Sequence, residues 1–68
     1  MKIFQERLDE LIKEKFGTQK TFAEQFGYSK NQIHYWIKGK AEPDFETLTN
    51  LCRQLNTDPN YLLGFTDI

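Results

Sequence analysis

The chain has 68 residues, room for one domain (residues 1–68) built around one core. Its single cysteine, Cys52, excludes an intrachain disulfide, and one cysteine with one histidine, His34, cannot supply a zinc-finger ligand set, so no metal or cofactor is expected. The net charge is −1; Met1 opens a charged, amphipathic segment rather than an apolar leader, and no run approaches the roughly 18 apolar residues a membrane span needs, so a soluble, cytoplasmic protein is expected.

The pattern predicts about five short helices. Phe4, Leu8, Leu11 and Ile12 recur at the three-and-four spacing of one helical face, giving a first helix over Phe4–Lys15 that Gly17 ends. Thr18 is a fitting N-cap for a second helix running through Phe26. Gly27 sits where a chain reversing between helices needs a residue tolerant of positive φ. Ser29 with Gln32 three residues on forms a capping box, opening a third helix over Lys30–Lys38 that stops at Gly39. Residues 40–43 read as a loop. Asp44 caps a fourth helix, with Glu46 near the positive end of its dipole and Leu48, Leu51, Cys52 and Leu55 on its inner face. Asp58-Pro59 is a cap followed by proline at the first helical position, so a short fifth helix carries Tyr61, Leu62 and Leu63. There is no β-alternation, internal repeat or low-complexity segment. The fold class is all-α, a compact bundle with a helix-turn-helix at helices two and three.

Charge is unevenly spread. Between residues 13 and 40, Lys13, Lys15, Lys20, Lys30, Lys38 and Lys40 face only Glu14 and Glu24; from residue 41 onward Arg53 stands against Glu42, Asp44, Glu46, Asp58 and Asp67. The positive charge therefore gathers in and beside helices two and three, where a nucleic-acid footprint would lie, although the field is weaker than in a strongly basic binder.

Helix three carries the chemistry. Phe22, Phe26, Ile33 and Trp36 have the helical spacing of core residues rather than of a stacking platform. Lys30, Asn31, His34 and Tyr35 fall at i, i+1, i+4 and i+5, on the side away from Ile33 and Trp36. Lysine can donate to guanine O6 and N7, asparagine can bond adenine N6 and N7, and tyrosine can meet a thymine methyl or a phosphate. Lys38 and Lys40, at the end of the helix, are phosphate candidates, supplying affinity rather than sequence choice. His34 alone cannot build a metal site or a relay. Cys52 reads as an inert buried residue.

The run Gln19–Lys38 resembles the helix-turn-helix of the phage repressor and Cro-type (XRE-like) family. That family's motif begins with a glutamine, here Gln19, places a small residue inside its first helix (Ala23) and a glycine at the turn (Gly27), and puts a β-branched aliphatic (Ile33) and a Trp-like residue (Trp36) in the recognition helix. Gly39, Lys40 and Pro43 continue the likeness, and Tyr61-Leu62-Leu63-Gly64 is similar to the family's last short helix. The resemblance spans nearly the whole chain. It implies a lambda-repressor-like fold and double-stranded operator DNA as partner. It also implies base reading at the positions of Lys30, Asn31 and Tyr35, with His34 beside them, and phosphate contact from Gln19 at the start of helix two, alongside Ser29, Lys38 and Lys40. The family's last helix contributes to a symmetric dimer, which puts a contact at Pro59, Leu63, Phe65 and Ile68. Ile37 departs from the pattern, which usually has a polar or acidic residue there. It either packs under the 40–43 loop or marks a patch for a partner.

Two functions are in play. The first is a Cro-like regulator with no attached domain, or the reader domain of a longer repressor, binding an inverted repeat as a dimer. The second is a protein-interaction module, an antirepressor or antitoxin, on the same scaffold, motivated by the mild acidity and Ile37. Without a nucleophile–base pair, metal cluster or phosphate-cradling loop, no enzyme is expected.

Overall fold

The apolar residues at three-and-four spacing wind into five helices in the computed structural model, which describes residues 2–67: α1 (Lys2–Phe16), α2 (Gln19–Phe26), α3 (Lys30–Lys38), α4 (Phe45–Gln54) and α5 (Pro59–Leu62). Among the described residues there is no strand. α1 packs against α2, α3 and α5, and α2 against α3. Phe4, Leu8 and Ile12 of α1 meet Phe22, Ala23, Ile33, Trp36, Leu51, Cys52, Leu55 and Leu62 in one core with no buried charged or polar residue among those described. Leu11 and Leu48, expected on inner faces, are only half-buried at its margin.

The expected boundaries need two adjustments. α1 begins at Lys2, two residues earlier than predicted, and runs one residue further, to Phe16, which packs edge-on against Phe22 and Phe26 with ring centroids 5.0 and 5.5 Å away. Leu63, predicted inside the fifth helix, is instead its C-cap. The remaining starts are set by side-chain caps as expected: Thr18 accepts from the Thr21 N–H, and Asp44 accepts from the Thr47 N–H at 2.8 Å. That bond holds the Asp44 carboxyl below the ordinary carboxylate range.

Long-range polar contacts close the bundle. Arg7, half-buried on α1, donates to the Tyr61 carbonyl and, at 2.6 Å, to the Thr66 carbonyl, while its guanidinium lies 4.2 Å from the centre of the Tyr61 ring. Lys15 donates to the Leu55 carbonyl and reaches Asn56 O at 3.4 Å, neutralising the carbonyl end of α4. Tyr28, in the turn before α3, donates its hydroxyl to Gln54 Oε1 at 2.8 Å. The Tyr28 bond ties the α2–α3 turn to α4, while the Arg7 and Lys15 bonds tie α1 to the C-terminal segment and to the end of α4.

Candidate nucleic-acid interface

The interface is built on a tight reversal. Gly27 ends α2 at φ 79°, ψ 21°, a left-handed conformation that an L-residue reaches only at a cost, and the Tyr28 N–H then bonds back to the Ala23 carbonyl at 2.9 Å. Two residues later the capping box forms in full: Ser29 Oγ accepts from the Gln32 N–H at 3.1 Å, and Gln32 Oε1 accepts from the Ser29 N–H at 2.9 Å. The third helix is therefore launched at a fixed angle from the second.

Its roll about its own axis is fixed by two anchors. Ile33 is fully buried and Trp36 nearly so, with the Trp36 ring edge-on to Tyr28 at 5.4 Å. With those two turned inward, Lys30, Asn31, His34, Tyr35 and Lys38 all stand in solvent. The four residues expected to meet base edges are thus brought onto one open face. The His34 and Tyr35 rings are neighbours, with centroids 6.2 Å apart, and Tyr35 keeps 44% of its surface exposed.

The expected phosphate contacts are less uniform. Lys38 and Lys40 are exposed beyond and at the helix end, where Gly39 takes φ 77° and the Lys40 N–H closes on the Tyr35 carbonyl at 2.9 Å. Gln19 is half-buried at the first position of α2, a site where free backbone N–H groups favour an anion. Ser29 Oγ is occupied as an acceptor within the capping box, which leaves its hydroxyl hydrogen to donate.

The basic middle third is divided. Lys13 pairs with Asp9 one helical turn earlier, at 3.0 Å, and Lys15 serves the end of α4, so neither strengthens the reader. Lys20, Lys30, Lys38 and Lys40 against Glu24 leave +3 on residues 18–40. Two residues beyond the expected set belong here. Lys20 is an exposed cation on α2, and Gln32, whose oxygen accepts from the Ser29 N–H, keeps its amide nitrogen free to donate to a ligand. The S-x-x-Q spacing shows the cap, but not that the glutamine's amide nitrogen stands in solvent beside the face of α3.

Of the expected dimer residues, Pro59 is exposed, Phe65 keeps 77% of its surface, and Leu63 is half-buried against the core; Ile68 lies outside the described residues. Ile37 is half-buried against the core and lines a shallow cleft with Lys2, Gln5, Glu6 and Asp9 of α1. A separate groove of about 560 Å³ runs between α4 and α5, walled by Phe45, Leu48, Cys52, Arg53 and Pro59. Burial, with the charge of Asp58 nearby, pushes the Cys52 thiol up, so it stays protonated and unreactive. Among the described residues no group of three His, Cys, Asp or Glu is placed to hold a metal ion, and no helix is long and apolar enough to cross a membrane.

Comparison with known proteins agrees with this geometry. The family model of the Cro/C1-type HTH DNA-binding domain matches residues 7–67, taking in the helix-turn-helix, both its caps and the Arg7 contact to the C-terminal segment. No curated protein and no solved structure gives a match. With the match running over nearly the whole chain and through every element that positions α3, the chain belongs to the Cro/C1-type helix-turn-helix family of DNA-binding domains.

Proposed function

We propose that this DNA-binding protein is a sequence-specific transcriptional regulator working in the cytoplasm, which places α3 in the major groove of an inverted-repeat operator. One observation carries the reading: Ile33 and Trp36 pin one side of α3 in the core while Lys30, Asn31, His34 and Tyr35 all face solvent from the other. Residues in the N-terminal half of a recognition helix reach deepest into the groove. Asn31 there bonds adenine N6 and N7, Lys30 donates to guanine O6 or N7, and Tyr35 and His34 meet the next step or its phosphate. Gln19, Ser29, Lys38 and Lys40 hold the flanking phosphates and set the register. Two copies on a two-fold site would place half-sites about 34–36 Å apart, one turn of duplex.

The interaction-module reading draws less support from Ile37, which is half-buried against the core rather than fully in solvent. The test is Asn31→Ala on the preferred site. The expected loss is about 1–3 kcal/mol, with relaxed preference at one base position. Unchanged affinity and unchanged preference would mean that α3 does not read bases through this face.

A further inference from the structure

Gln32 stands in solvent in the first turn of α3, beside the four residues proposed to meet base edges. At about 100° per residue, it lies some 60° round the helix from Tyr35 and about 100° from Asn31. It therefore borders the open face on the flank opposite Lys30 and His34. The first turns of a recognition helix reach deepest into the groove.

Its duty in the capping box decides which way the amide points. A backbone N–H can be met only by the amide's oxygen, and Gln32 Oε1 accepts from the Ser29 N–H at 2.9 Å. The oxygen is thus turned back to the start of the helix, and the nitrogen with its two hydrogens is the outward end. The lock is mutual, because Ser29 Oγ accepts from the Gln32 N–H at 3.1 Å. Side chain and first turn are therefore fixed together before any DNA arrives.

A donor held in this way discriminates between bases. Glutamine reads adenine by bonding N7 and N6 at once, which here would require one oxygen to serve both the Ser29 N–H and adenine N6. Guanine presents two acceptors, O6 and N7, and asks nothing of the oxygen. Cytosine offers an amine, which the outward nitrogen cannot accept. We infer that Gln32 is a further base-reading residue of α3, selecting guanine through Nε2 while its oxygen stays in the cap. This rests on the base-reading function proposed above and adds one operator position to it. Glutamate fits the same box, so Gln32→Glu keeps the cap and exchanges the outward donor for an acceptor, which cytosine N4 can satisfy.

The test uses the duplex selected from a random pool by the wild-type chain, varied one base pair at a time and titrated by fluorescence anisotropy. Gln32→Glu should melt no lower than wild type, since the cap persists. Its added charge weakens every duplex alike, so preference is taken from ratios between duplexes. Wild type is expected to prefer guanine by at least about fivefold at one position whose preference Asn31→Ala leaves intact. Gln32→Glu should replace that preference with one for cytosine. Gln32→Leu, which adds no charge, should abolish it without creating another, and the remaining positions should keep their ratios. Uniform losses from both variants, with every ratio unchanged, would make Gln32 a phosphate contact or a cap alone and overturn the inference while leaving reading by Asn31 intact. Wild-type preference for adenine at the position sensitive to Gln32 would overturn it too. Ratios indifferent to Asn31→Ala as well would contradict base reading by α3 as a whole, and this inference with it.

Discussion

Replacing Arg7 with alanine should bring the domain close to unfolding, although Arg7 lies outside the recognition helix. Its guanidinium does three things at once. It donates to the Tyr61 carbonyl in a half-buried setting and to the exposed Thr66 carbonyl at 2.6 Å, and it lies 4.2 Å from the centre of the Tyr61 ring. A net hydrogen bond to a charged group is worth about 1.5–3 kcal/mol, and only the bond to Tyr61 is shielded enough to count fully. The ring contact adds about 0.5–1 kcal/mol. The pairing with Asp67, at 3.8 Å, adds little, because that carboxylate is fully in water. The loss is therefore about 2–4 kcal/mol, against about 3–5 kcal/mol expected from the core of so small a domain. A chain of this length shifts by roughly 4–8 °C for each kcal/mol, so the melting temperature should fall by about 10–25 °C. Thermal melts followed by circular dichroism and by Trp36 fluorescence would measure it. Arg7→Lys should fall between the two, since an ammonium can still donate to a carbonyl but lacks the planar guanidinium that lies over the Tyr61 ring. A melting temperature for Arg7→Ala within about 2 °C of wild type would refute the claim that this contact holds α5 and the following residues to α1.

Two further outcomes are expected. Replacing Lys38 or Lys40 with alanine should weaken all DNA sequences about equally and lower the slope of log K against log salt by about 1, measured by fluorescence anisotropy; a salt-insensitive interaction would favour a protein partner instead. The Asp44 carboxyl is held down in the folded state by the Thr47 N–H, so its contribution is present above the ordinary carboxylate range and is lost as pH falls through the folded value. Urea melts of Asp44→Asn, which keeps a capping oxygen, should accordingly lose less stability on acidification than wild type; an unchanged pH dependence would remove Asp44 as a source.

The parts of the molecule legible in the sequence are those whose causes are local. Gly27, Ser29 and Gln32 announce the turn and the cap within six residues, and Ile33 with Trp36 announces the buried side of α3, so the side of α3 left in solvent follows from spacing alone. The longer α1 was hidden because no capping residue marks its start, and because Phe16 is held in it by rings on α2. Arg7 and Lys15 look like ordinary surface charges in sequence. Their acceptors are carbonyls 54 and 40 positions away, and carbonyls leave no residue-type signal. That also made the middle third appear more basic than the reader is. Phe45 leaves no such signal either: the sequence does not show that its ring stands in solvent, which only the tertiary arrangement reveals.

Sequence reading by α3 through Lys30, Asn31, His34 and Tyr35 is best tested by selecting bound duplexes from a random DNA pool with the full chain. The expected outcome is recovery of one inverted repeat whose half-site centres lie one helical turn apart, and loss of preference at a single position in each half-site when the selection is repeated with Asn31→Ala. Recovery of no common sequence, or of the same motif undiminished by Asn31→Ala, would contradict it.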